Sequence, residues 1–147
     1  MIRIATIDDI PEVMRLLVGH HAENGWYPLS QEKVANTVLH LLENRHPYGP
    51  LIVAESAEGL AGLVGLVEII PFYTDDGTIL VDQFLYVDPP ARGKKVFQAL
   101  ADATAEEGIR RGLPVVITIL NPARAKRKGR VASVEGYIPM GSRIRLA

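Results

Sequence analysis

The spacing of hydrophobic and polar positions changes several times along the chain, and each change marks an element. Ile2 and Ile4 alternate with Arg3 and Ala5, the two-residue period of a short strand. Thr6-Ile-Asp-Asp9 then offers a Ser/Thr-x-x-acid start for a helix. Ile10, Val13, Met14, Leu17 and Val18 follow at i, i+3, i+4, i+7 and i+8, which predicts one apolar helical face. Gly19 stands near the expected end of that helix. His20 to Leu29, with Asn24-Gly25 and Pro28, reads as a loop. Ser30 is placed to cap a second helix whose inner face is Val34, Thr37, Val38, Leu41 and Leu42.

Beyond Pro47 and Pro50 the pattern becomes that of strands. Leu51–Ala54 and Leu60–Ile70 flank the turn Ala57-Glu58-Gly59, and Thr78–Val87 follows the turn Pro71–Gly77. Asp88-Pro89-Pro90 stops that third run, because neither proline can supply a ladder N–H. A helix is expected from Lys94 to Arg111, rich in alanine, with Arg110 and Arg111 in its last turn and Gly112 and Pro114 beyond. Val115–Leu120 reads as a buried strand, Asn121-Pro122 opens a last helix, and Gly136-Tyr137 and Met140–Leu146 close the chain as short strands. The order is β-α-α-β-β-β-α-β-α-β-β, a mixed α/β layer structure expected to form one domain over residues 1–147.

Composition narrows the classes. The chain has 147 residues, 48% hydrophobic and 22% charged, enough to bury a core without staples. It has no cysteine, which removes disulfides, thiolate metal sites and a cysteine nucleophile. The longest apolar stretch, Leu60–Ile70, is interrupted by Gly62, Gly65 and Glu68. It falls far short of the roughly 20 residues a membrane helix needs. Met1-Ile-Arg-Ile-Ala lacks the pattern of a signal peptide, so a cytoplasmic protein is expected. Charge is unevenly spread: residues 1–90 hold 4 Lys/Arg against 13 Asp/Glu, a balance of −9, and residues 91–147 hold 12 against 4, a balance of +8. One part of the chain should therefore prefer anions.

The strand-turn-helix junction from Leu85 to Leu100 carries the most chemistry. A long helix that begins just after a strand, with Arg92, Gly93, Lys94 and Lys95 at its mouth, presents unpaired N–H groups and positive charge suited to phosphate. An ordinary turn with solvated lysines is the plainer reading of the same residues. The element order and the segment Tyr86-Val-Asp-Pro-Pro-Ala-Arg-Gly-Lys94 resemble the GNAT superfamily of acyl-CoA-dependent N-acyltransferases. The closing Gly136-Tyr137-Ile-Pro-Met-Gly-Ser142 resembles that family's turn between its last strands. The resemblance implies a mainly antiparallel central sheet flanked by helices, acetyl-CoA as cosubstrate and a primary amine as acceptor. It also implies that Leu85, Tyr86 and Val87 hold the pantetheine arm and that Arg92, Gly93, Lys94, Lys95, Val96 and Phe97 hold the pyrophosphate, with Asn121 downstream.

The departures from that family are specific. Its coenzyme loop has small residues where this chain has Lys95 and Phe97. A backbone without a side chain lets phosphate approach closely, so Phe97 either blocks that approach or points into the core. The tyrosine that commonly protonates the leaving thiolate falls on Lys128 counted from Asn121, or on Ala132 counted back from Gly136. No general acid is assigned.

Other candidates each carry two readings. Asp82, in the third strand of the central run beside Gln83, is a candidate base for the amine or a solvent-facing carboxylate, and Glu68 is read the same way. His20, His21, Glu23, Trp26 and Tyr27 border an acceptor site or belong to a loop anchored on the core by Trp26. Adjacent histidines diverge on most backbones, so no metal site is assigned. Arg124, Lys126, Arg127, Lys128 and Arg130 form a basic run without aromatics for base stacking, which favours a solvated face or an acidic protein partner over nucleic acid. Two functions emerge: an N-acetyltransferase, or a GNAT-like domain without catalysis that serves as a component of a larger assembly, such as a phage particle, through contacts with itself or other proteins.

Overall fold

The computed structural model of the chain describes residues 1–118. The expected helix at Asn121-Pro122, the basic run from Arg124 to Arg130, the end of the Val115–Leu120 strand and the strands after Gly136 lie outside the described residues. The chain divides into two compact units, Met1–Ile117 and Thr118–Ala147. All of the described strands and helices belong to the first unit.

Five strands form one sheet in chain order: β1 (Ile2–Ile4), β2 (Tyr48–Ser56), β3 (Gly59–Ile69), β4 (Ile79–Val87) and β5 (Val115–Val116). Pairing is antiparallel from β1 to β4 and parallel between β4 and β5. This is the mixed, mainly antiparallel sheet the resemblance implied. Helices α1 (Ile10–Asn24) and α2 (Gln31–Glu43) cover one face, and α3 (Val96–Arg111) covers the other. Because both faces are covered, β2 and β3 read as near-continuous apolar runs. Leu51 and Val53 point to α1 and α2, and Ile52 and Ala54 point to α3.

The bounds of α1 and β2 differ from the sequence expectation. Helix α1 runs through Gly19 to Asn24, so His20 to Asn24 are helical and not loop. Gly19 marks a close approach there: a Cβ on it would lie 2.8 Å from the Tyr86 hydroxyl. The inner face is also turned, with Leu16 fully buried and Val18 exposed. Strand β2 begins at Tyr48, three residues early, and a register shift between Tyr48 and Leu51 accommodates Pro50. Glu68 is a structural anchor: it receives Arg111 at 2.6 Å and pairs with His46 at 3.0 Å. Arg111 also donates to Gly49 O, and so joins the ends of α3, β3 and β2.

A β-bulge sets up the site. Gly65 pairs with Phe84 and Leu66 with Asp82, so Gln83 is an extra residue in β4. Leu80 packs on the α3 side, whereas Phe84 and Tyr86 pack on the α1/α2 side. Strict alternation would have put all three on one face. The bulge reverses the sense of the strand midway.

The tightest contacts of the fold can be tested directly. A Cβ on Gly65 would meet the Phe84 ring at 2.6 Å and Leu41 at 2.8 Å. Gly65→Ala is therefore expected to destabilise by about 1–3 kcal/mol, read as a lower denaturant midpoint. Asp9 receives two hydrogen bonds from Arg3, at 2.7 and 2.8 Å, and one from the Thr6 N–H at 2.8 Å. The Arg3 hydrogen bonds hold its carboxyl down to about 2, from an ordinary 3.8. A folded-state value below the unfolded one means stability that is present above pH 3.8 and lost as pH falls towards 2. Asp9→Asn should be less stable at neutral pH, with a flatter loss of stability across that acid window.

Candidate functional site

Strand β4 has one edge on β3 and another beyond it. The Asp88 N–H donates to Ala61 O towards β3, while the Leu80 N–H donates to Pro114 O across the far edge. Past the bulge, the Val87 carbonyl points to the far edge, where it accepts from Arg92 Nε at 3.0 Å. By the two-residue period, the backbone groups of Leu85 point the same way. Pairing with β5 involves Leu80 and Val81. Among the described residues, no strand lies against Leu85–Val87 on that side. Leu85 and Val87 pack their side chains against the α3-side core and Tyr86 packs against α1, so backbone is what this edge offers.

Next comes the turn. Pro89–Ala91 make one 3-10 turn, Gly93 has φ +84°, and Lys95 has φ +62°. Helix α3 starts at Val96, two residues later than the sequence predicted, because Lys95 adopts the left-handed conformation. The N–H groups of Val96, Phe97 and Gln98 have no helical carbonyl one turn back. The Lys95 side chain at the N-cap makes no capping hydrogen bond, and the first turn has no acidic residue. Lys94 and Lys95 are exposed beside them. These are the properties of an anion-binding helix start. Phe97 is half-buried against the α3-side core, so its ring packs inward.

Lys95 is informative because lysine is poorly suited to its backbone. A left-handed conformation costs a residue with a Cβ about 1–2 kcal/mol relative to the right-handed one. Glycine escapes most of that cost. Lys95→Gly should therefore raise stability by roughly 1 kcal/mol. The same change should weaken binding of an anion at the loop, because it removes a charge. Melting temperature and anion affinity measured on one variant should move in opposite directions.

Arg92 points elsewhere. Its Nη2 donates to Glu23 Oε1 at 2.7 Å, and its guanidinium carbon lies 5.4 Å from the centre of the Tyr86 ring. The Tyr86 hydroxyl donates to the same Glu23 oxygen at 3.3 Å, and His20 packs edge-on to the Tyr86 ring at 5.8 Å. Burial pushes the Tyr86 hydroxyl pKa up, and the Glu23 charge adds to that while Arg92 opposes it. The structure thus brings Arg92, Tyr86, His20 and Glu23 together at the junction of α1 and β4. The sequence placed Glu23 in a loop; it stands on α1 seven residues after buried Leu16, on the helix face that turns to the sheet. A carboxylate on that line was the available signal.

The other candidates scatter. Asp82 sits half-buried at the bulge. His21 bonds Tyr27 O at 2.6 Å and ties the end of α1 to the following loop. Trp26 and Tyr27 are exposed, so Trp26 does not anchor that loop in the core. Asn121 lies outside the described residues. Among the described residues, no group of three or more His, Cys, Asp or Glu could hold a metal, and no helix is long and apolar enough to cross a membrane.

No protein-family model matches the chain, and no curated protein matches it. Solved structures do. AAC(6')-Iy, in complex with the bisubstrate analogue CoA-S-monomethyl-acetylneamine, superposes with a TM-score of 0.75 at 13% identity over 100% of this chain and 96% of that one. A predicted acetyltransferase from Clostridium acetobutylicum, with acetyl-CoA, gives 0.72 at 16% identity over 100% and 95%. The ribosomal-protein-alanine N-acetyltransferase of Brucella melitensis biovar Abortus 2308 gives 0.67 at 19% over 100% and 97%. The chain therefore has the fold of the GNAT acetyltransferases.

Proposed function

We propose that this protein is an N-acetyltransferase that moves an acetyl group from acetyl-CoA to a primary amine. The observation that carries the reading is the Arg92–Lys95 loop. Its backbone keeps two left-handed residues, Gly93 and Lys95, and leads into a helix whose first turn carries no acid and whose mouth is flanked by lysines. Strain kept at a non-glycine residue is a mark of a working site. Neighbouring structures of the same fold that hold acetyl-CoA or a coenzyme A analogue support it.

In this reading the loop amides and lysines hold the pyrophosphate, and the far edge of β4 at Leu85 and Val87 holds the pantetheine arm through backbone hydrogen bonds. The amine nitrogen bonds to the thioester carbonyl carbon, the carbon–sulfur bond breaks, and the thiolate takes up a proton. Asp82, at the bulge, is the proposed acceptor of the amine's proton. Holding the two reactants side by side supplies much of the rate. A cytoplasmic setting belongs to the same proposal.

A second reading has its own observation. The β3–β4 connection exposes Ile70, Phe72 and Tyr73 beside Asp75 and Asp76, which suits a domain that works by contact with other proteins in an assembly. Coenzyme binding separates the two. Acetyl-CoA at 100 times its dissociation constant should stabilise the protein by about 2.7 kcal/mol. No heat of binding and no rise in melting temperature at millimolar acetyl-CoA would reject the enzyme and leave the assembly component.

A further inference from the structure

Glu23 stands where a carboxylate is poorly placed. It lies in the last turn of α1, whose carbonyl end carries partial negative charge, so the helix disfavours an acid there. Arg92 compensates across 69 residues of sequence, at 2.7 Å. The two side chains are each 25% exposed, open enough to exchange partners and sheltered enough for the pairing to count. The remaining contacts of Arg92, to Val87 O and the Tyr86 ring, also draw the guanidinium towards β4 and α1.

We infer that Glu23 is a built-in competitor for the coenzyme's pyrophosphate, its carboxylate holding the guanidinium that the diphosphate would otherwise pair with. The inference rests on the reading of the Arg92–Lys95 loop as the coenzyme site. A guanidinium fork matches carboxylate and phosphate oxygens alike, so binding exchanges one anion for the other at Arg92. The Arg92–Glu23 pair must open for that exchange, and the work of opening it lowers coenzyme affinity. Tyr86 keeps the competitor in place, because its hydroxyl donates to the oxygen that receives Arg92.

The test is a double-mutant cycle read by calorimetry of coenzyme A binding to the whole chain at one ionic strength. Glu23→Gln removes the charge and still accepts from Tyr86. It should bind coenzyme A about three- to tenfold more tightly than the wild type. Arg92→Gln should bind more weakly, and the double variant should match Arg92→Gln, since without the arginine Glu23 has nothing to withhold. A loss of affinity in Glu23→Gln would mean that the pair braces the loop in its binding shape, which overturns the inference. Unchanged affinity, or an equal gain with and without Arg92, overturns it as well while leaving the coenzyme reading intact. If the wild type and all variants bind no coenzyme A, the coenzyme reading falls and the inference with it. Should Glu23→Gln fail to fold, Glu23→Asp, which shortens the reach by one methylene, must show a gain of the same sign.

Discussion

One extra residue in β4 governs the arrangement of both layers. With Gln83 inserted opposite the Gly65–Leu66 step, the strand places Leu80 under α3 and Phe84 and Tyr86 under α1 and α2. A regular strand could not serve both layers in this way, since its side chains alternate without interruption. The bulge also requires a glycine opposite it, because the Phe84 ring and Leu41 fill the space a Cβ on Gly65 would need. The site lies at the end of β4 just beyond this reversal.

From that strand, two chemistries are carried to one place. Its far edge offers backbone groups at Leu85 and Val87, and its side chains offer Tyr86 to α1. The loop that follows returns Arg92 to the strand it has just left, through Val87 O, and onward to Glu23. Arg15 makes a parallel link, from α1 to Asp88 at 2.9 Å and to Leu60 O at 3.1 Å. Helix α1 is thus tied by charge to both ends of the β4–α3 turn. Any ligand that draws Arg92 away acts on α1 as well as on the loop.

Among the described residues, the exposed aromatic side chains fall into two groups. Trp26 and Tyr27 lie after α1, on the side of the Glu23 cluster, and Phe72 and Tyr73 lie at the opposite end of β4, before it begins. Phe72 and Tyr73 contact each other edge-on at 5.5 Å, so that connection presents a paired aromatic surface.

Local periodicity carried most of the architecture. The helical spacing in α2, the strand runs of β2 to β4, the Ser30 cap that accepts from the Lys33 N–H, and the glycine end of α3 all depend on near neighbours, and all were readable from the chain. The turn and the exposed lysines at the mouth of α3 were readable for the same reason: helix ends, prolines and lysines act within a few residues. Contact between distant segments was not readable in this way. Gly19 looked like a stop because its role, making room for the Tyr86 hydroxyl, is set 67 positions away. Leu16 displaced Val18 from the inner face because the direction from which the sheet meets α1 is a tertiary matter. Lys95 in a left-handed conformation runs against its own preference, which only the surrounding loop can impose. Glu23 and Arg92 were each legible as charges, but their pairing exists only once α1 and the β4–α3 turn are packed on the same sheet. Interactions that reach a few residues set the elements and the charges gathered at the mouth of α3, so the order of amino acids was enough to specify them. Which charges meet at that site was left to the packing of the layers, because a salt bridge is defined by distance in space and not along the chain.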